Sequence, residues 1–253
     1  MPKFSSEGVE IAYNVEGAGA PILLIHGFAS NAAVNWFDTG WVRTLTDAGR
    51  QVIAVDNRGH GDSEKLYDPA EYSSPIMAED AANLIRHLGL TDIDVMGYSM
   101  GARISAFLTM SHPALVRSVV LAGLAENMIR GVGGSDEVAQ ALEAPSLESV
   151  KDPMPRAFRM FAEQTDSDLR ALAACMRSSR QKITKAELGK ISAPVLVAAG
   201  TKDDVAGRIE PLVNAVQNGF ALPIPGRDHM RAVGDKVYKR GVLDFLAAQD
   251  GNF

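Results

Sequence analysis

Residues 93–107 read Ile93-Asp94-Val95-Met96-Gly97-Tyr98-Ser99-Met100-Gly101-Ala102-Arg103-Ile104-Ser105-Ala106-Phe107. Ile93, Val95 and Met96 give the start the character of a buried strand, whereas Ile104, Phe107 and Leu108 take helical spacing. Between them, Gly97-Tyr98-Ser99-Met100-Gly101 fits G-x-S-x-G, a strand-to-helix turn that holds its serine in a sparsely populated backbone conformation. The glycines are expected where strand and helix cross too closely for a side chain. Such a turn holds a hydroxyl clear of the sheet at a helix N-terminus, where free N–H groups favour developing negative charge. That is the geometry acyl transfer needs.

Outward from this turn, strand-like and helix-like segments alternate, which predicts a mostly parallel sheet with helices on both faces. Val9–Tyr13 reads as an antiparallel entry strand, and Pro21–Ile25, Val52–Val55, Ser118–Ala122 and Val195–Ala199 as buried parallel strands, followed by a short strand near Phe220–Ile224. Helices are expected at Trp41–Ala48, near Glu210–Val216 and through Val242, Phe245 and Leu246. Another runs from a Ser74 N-cap and Pro75 at N1 to a stop at Gly89. Between Ala122 and Pro194 the rhythm stops for far longer than the usual connection of about 2–6 residues. Helical spacing recurs there in Ser135–Leu142, Ala157–Glu163 and Ser167–Met176, and a capping box at Thr184 and Glu187 starts a short return helix. The expected organisation is a core of residues 1–126 and 191–253 with a helical insertion at 127–190.

At 253 residues, 46% hydrophobic and 22% charged, the chain can bury one full α/β core. Its formal charge of −6, without a Lys/Arg run, argues against nucleic acid or an anionic membrane surface as partner. No apolar run approaches a membrane span and the first residues lack the apolar core of a signal peptide, so a cytoplasmic location is expected. The single cysteine, Cys175, reads as a core filler. No metal-ligand spacing, G-x-G-x-x-G or P-loop is present, so the expected chemistry uses no cofactor.

Taken with Ile25-His26-Gly27-Phe28, Asp56-Asn57-Arg58-Gly59-His60-Gly61-Asp62-Ser63, Gly200-Thr201-Lys202-Asp203 and Gly226-Arg227-Asp228-His229, the serine turn makes five ordered motifs. Over nearly its whole length the chain resembles an α/β-hydrolase fold protein with a helical cap inserted after the sixth strand. The resemblance implies a nucleophile–base–acid triad in the order Ser, acid, His. Ser99 is the nucleophile. His229, late in the chain after a strand and turn, is the base; His26 and His60 fit structural roles, and His87 and His112 surface ones. Asp203, just past Val195–Ala199, is the expected acid, with its neighbour Asp204 the alternative. The resemblance also points to the backbone N–H groups of Phe28 and Met100 as oxyanion donors, and to Arg58 and Asp62 as braces.

The expected activity is cleavage of small to medium uncharged carboxylic esters through an acyl-enzyme at Ser99. Lactone, amide or carbon–carbon bond hydrolysis and cofactor-free perhydrolysis would use the same triad, and a low-turnover receptor would keep the pocket. Phe158, Phe161 and Met128 are the cap residues expected to shape that pocket.

Overall fold

The structure, a computed structural model, describes residues 1–251. One 8-stranded sheet is built from β1 (Lys3–Ser6), β2 (Val9–Glu16), β3 (Ala20–Ile25), β4 (Arg50–Val55), β5 (Ile93–Tyr98), β6 (Val116–Ala122), β7 (Val195–Gly200) and β8 (Gly219–Ile224). The spatial order is β1-β2-β4-β3-β5-β6-β7-β8. The β1–β2 and β2–β4 pairs are antiparallel, and every pair from β4 to β8 is parallel. The helices are α1 (Trp41–Asp47), α2 (Ser74–His87), α3 (Met100–Ser111), α4 (Glu126–Arg130), α5 (Ser135–Glu143), α6 (Pro153–Gln164), α7 (Leu169–Ser178), α8 (Lys185–Leu188), α9 (Glu210–Val213), α10 (His229–Ala232) and α11 (Lys236–Asp250).

The central strands are apolar on both faces because both are covered. Leu23 and Ile25 of β3, Val95 of β5, Val119 and Leu121 of β6 and Val197 of β7 pack under α2 and α3. Their neighbours Ile22, Leu24, Met96, Val120 and Leu196 point the other way, against Trp41, Leu45, Tyr238, Val242 and Leu246 of α1 and α11. Burying each of the larger aliphatic side chains stabilises the fold by about 1.5–3 kcal/mol.

The strand order reverses beside β3, whose chain leaves toward β4 while that of β5 leaves toward β6. Open parallel sheets gather ligands at such a switch point, outside the carboxyl ends of the strands. The loop after β3 carries Phe28 and the turn after β5 carries Ser99. At the opposite ends of the strands, Asp94 binds Arg50 (2.8 Å), Arg117 and Ser118 (2.7 Å), and Arg50 continues to Asp250 of α11 at 2.5 Å. The terminal helix is thereby clamped beneath β4, β5 and β6.

Several local expectations shift. The cap of α2 is Ser73, whose side chain accepts from the Ile76 amide, and not Ser74. Ser74 is drawn into a tertiary contact instead: its hydroxyl donates to the Ser179 carbonyl at 2.6 Å and its amide to Gln181 at 2.8 Å. The helix expected from Ser167 starts at Leu169 because Asp168 caps it through the amides of Arg170 and Ala171. The helix expected to reach Val216 ends at Val213. Strand β1 and helices α4 and α10 were not expected.

Between β6 and β7 lie α4 to α8, with the Thr184–Glu187 capping box in place. Helices α5, α6 and α7 share an apolar core of their own, including Val138, Leu142, Ala162, Leu172 and Met176. It closes against Ala29 of the β3 loop, and the Thr165 hydroxyl after α6 donates to the Ala29 carbonyl at 2.8 Å. Met128 of α4 and Leu188 of α8 pack with the sheet core instead.

Candidate active site

Ser99 follows β5 and caps α3 with φ 55° and ψ −114°, a conformation L-residues rarely adopt. The two glycines permit it. A Cβ on Gly97 would lie 2.2 Å from the Gly101 carbonyl oxygen, and one on Gly101 would lie 2.0 Å from that of Ile25. The Ser99 amide donates to the Ala122 carbonyl at 2.7 Å, fastening the turn to β6.

The Ser99 hydroxyl lies 3.1 Å from His229 Nε2, and His229 Nδ1 lies 2.9 Å and 3.1 Å from the two carboxylate oxygens of Asp203. Facing a carboxylate, Nδ1 carries the proton, which leaves Nε2 to accept from the serine. Asp203 is buried and is held by the amides of Val205 and Ala206 at 3.0 Å and 2.9 Å. Asp204 is exposed, and its carbonyl accepts from Asn127 at 3.2 Å. His229 does not end a loop but opens α10, capped by Asp228 through the Arg231 amide.

The loops bearing acid and base are knitted together. The Thr201 and Lys202 amides donate to Ile224 and Arg227 at 3.0 Å, and the Gly226 amide to the Thr201 hydroxyl at 2.8 Å. One contact had no sequence signal beyond its place in the serine turn: the Tyr98 hydroxyl donates to the His229 carbonyl at 2.6 Å, and the rings lie 5.4 Å apart. Gly123, with φ +64°, makes room for both, since a Cβ there would lie 2.8 Å from the Tyr98 ring and 3.2 Å from the His229 ring.

Gly27 lies against Ser99, its ideal Cβ position 3.3 Å from that of the serine. The Met100 amide is the first of α3 and so lies outside the helix ladder. The Phe28 amide has no hydrogen-bond partner among the described residues. His26 braces this loop: Nδ1–H donates to the Gly27 carbonyl at 2.7 Å and Nε2 accepts from the Asn57 amide at 3.0 Å. Burial lowers its pKa to about 4, so the ring stays neutral. His60, equally buried, contacts the Arg58 carbonyl at 3.0 Å. Arg58 binds Asp80 through two N–H groups, at 2.7 Å and 2.8 Å. Asp62 is not the partner brace. It is exposed, and the buried carboxylate of Asp56 takes that part, accepting from the amides of Ala32 at 2.7 Å and Asp62 at 2.8 Å.

Of the three cap residues expected at the pocket, Phe158 meets the Phe28 ring edge-on at 6.0 Å. Phe161, like Phe158, packs against the shared core of α5, α6 and α7. Met128 is fully buried in the sheet core, because its short helix is pinned by backbone bonds to Ala206 and Ile183. Cys175 of α7 is buried against Met100, 3.8 Å between sulfurs, and burial pushes its thiol up to about 12, so it stays protonated. A surface concavity lined by Arg50, Leu243, Leu246 and Asp250 lies at the other end of the sheet, away from Ser99. No helix among the described residues is long and apolar enough to cross a membrane.

A family model described as alpha/beta hydrolase fold matches residues 20–140. The chain is 30% identical to a 2-(acetamidomethylene)succinate hydrolase of Mesorhizobium japonicum, over 92% of this chain and 90% of that protein. It is 33% identical to a non-heme chloroperoxidase of Kitasatospora aureofaciens over 54% of this chain and 50% of that protein, so this match spans about half of the relative. Among solved structures, an enol-lactonase from Burkholderia xenovorans superposes with a TM-score of 0.82 at 20% identity, covering 97% of this chain and 100% of that one.

Proposed function

We propose that this chain, which belongs to the α/β hydrolase fold family, is a serine hydrolase that cleaves carboxylic esters through an acyl-enzyme at Ser99. The family and its named relatives make it a hydrolase; the ester bond and the roles of individual residues are our reading. The observation that carries it is the line from Ser99 through His229 to Asp203, with contacts of 3.1 Å and 2.9 Å. His229 takes the serine proton as Oγ attacks the ester carbonyl, and Asp203 stabilises the imidazolium that forms. The tetrahedral oxyanion is received by the Phe28 amide of the β3 loop and the Met100 amide at the start of α3, a contribution worth about 3–4 kcal/mol per donor in related chemistry. His229 then protonates the leaving alcohol, and water repeats the sequence to release the acid.

A fluorophosphonate probe is the direct test, since it reports a serine activated by a base beside an oxyanion site. Peptide mapping should place the label at Ser99 alone, and an activated ester should give a burst followed by steady turnover. Labelling elsewhere, or none on folded protein, would remove the assignment. A burst with no turnover would indicate a binding protein.

The cap supplies a second expected result. Phe158, touching the residue whose amide receives the oxyanion, should set acyl preference, whereas Phe161 should serve the cap core against which both rings pack. Phe158→Ala should alter discrimination among acetyl, butyryl and octanoyl esters by about 1–3 kcal/mol. Phe161→Ala should instead lower the melting temperature and leave the chain-length profile unchanged. Measuring kcat/KM for the three esters alongside Tm decides it, and an unchanged profile in Phe158→Ala would refute the assignment.

A further inference from the structure

Other strongly buried arginines of this chain are paired with carboxylates: Arg50 with Asp94, Arg58 with Asp80 and Arg159 with Glu163. Arg103 breaks the pattern. It lies four residues beyond Ser99 on α3, leaving only 3% of its surface exposed, and donates from Nη1 to the Gln181 carbonyl. Arg180, just past α7, donates from Nη1 to the Gly133 carbonyl at 2.7 Å and lies 5.8 Å over the Phe158 ring. Neither has a carboxylate partner among the described residues, Arg103 reaches the carbonyl of the residue that follows Arg180, and the like charge of Arg180 acts on it. Burial and that like charge lower Arg103 to about 10. A guanidinium offers five N–H donors, and holding two such groups close without a counter-charge is costly unless an anion completes them.

The position of the pair relates it to the reaction. Arg103 stands one turn into α3 from Ser99, and its amide donates to the Ser99 carbonyl at 3.4 Å. Arg180 covers Phe158, which meets Phe28, while Cys175 on the same helix end touches Met100. Both proposed oxyanion residues therefore adjoin the arginine-bearing roof. His229 approaches from the β8 side, where it would protonate the leaving group, so the acyl group extends the opposite way.

We infer that Arg180 and Arg103 form an anion subsite at the acyl end of the cleft, and that the acyl group transferred to Ser99 bears a carboxylate. This deepens the ester-hydrolase reading and rests on it, and it replaces the uncharged acyl group expected from the sequence. Arg180 supplies the planar fork that grips the carboxylate, and Arg103 adds a buried positive charge behind it.

The test compares monophenyl glutarate with its methyl-capped, uncharged counterpart, after subtracting spontaneous hydrolysis, and titrates glutarate into Ser99→Ala by calorimetry. The parent should favour the charged ester in kcat/KM by about tenfold or more, the scale of a charge-assisted bidentate contact. Arg180→Gln should erase that preference mainly through KM, and Arg180→Lys should restore part of it. Glutarate should bind Ser99→Ala and lose at least about tenfold in affinity when Arg180→Gln is added. Equal rates on the two esters, a preference that survives Arg180→Gln, or no glutarate binding to Ser99→Ala would overturn the subsite. Arg180-dependent glutarate binding without turnover of any ester would support the subsite while overturning the ester reading.

Discussion

Asp203→Asn is expected to lower kcat by about 10⁴, the loss seen when the orienting carboxylate of a serine–histidine pair becomes an amide. Asp203 presents both oxygens to His229 Nδ1 and is itself held by two backbone amides. An amide NH₂ turned toward Nδ1 would favour the tautomer protonated at Nε2, and that nitrogen could no longer take the Ser99 proton. Asp204→Asn should stay within about twofold of the parent, the range of an exposed substitution, because the residue is exposed and accepts from Asn127 through its carbonyl, which the substitution keeps. Steady-state kinetics on an activated ester, with folding matched by circular dichroism, ranks the two. The reverse ranking would make Asp204 the acid.

What could be read from sequence was what local sterics or periodicity impose. The serine turn was legible because Gly97 and Gly101 are demanded by backbone contacts near 2 Å, and those contacts leave no other residue type in their place. The strands of the central sheet were legible because burial on both faces makes them continuous apolar runs. Helices α5 and α6 announced themselves by spacing, as did α7.

Elements held by distant partners were not legible. Strand β1 exists only by pairing with β2, and α4 is fastened by hydrogen bonds that the Ala125 and Asn127 amides donate to the Ala206 carbonyl in the loop after β7. Helix α10 is four residues long and depends on its Asp228 cap. That Asp56 takes the place of the expected Asp62 as brace depends on which carboxylate faces inward, which the loop sequence does not encode. Met128 looked like a pocket residue because its apolar character was visible and its burial was not. The two arginines were invisible for the same reason: Arg103 and Arg180 are far apart in sequence, and only the fold shows that neither has a carboxylate partner among the described residues.

Acid should unfold this protein sooner than its carboxylates alone would dictate, because His26 and His60 are buried as neutral rings. Burial lowers His26 to about 4; burial and the neighbouring His26 lower His60 to about 3. An unfolded histidine titrates near about 6.5. Below that pH the unfolded chain takes up protons that the folded chain refuses, so stability is complete above about 6.5 and falls through the window down to about 4 and 3. Between pH 7 and pH 5 the loss is about 2 kcal/mol for each ring, against a total stability of about 5–15 kcal/mol for a domain. Asp56 works in the opposite direction, since burial raises its pKa and the folded carboxyl accepts its proton first. The loss bears on activity because His26 holds the Gly27 carbonyl, and through it the loop that presents the Phe28 amide. His60→Asn isolates one ring, since an amide can still donate to the Arg58 carbonyl that His60 Nδ1 now contacts. Urea unfolding at pH 7 and pH 5 should show the variant losing about 2 kcal/mol less than the parent across that interval, whatever its absolute stability. Equal losses in the two proteins would mean that His60 is not buried neutral in the native state, and the acid sensitivity would have to come from the carboxylates.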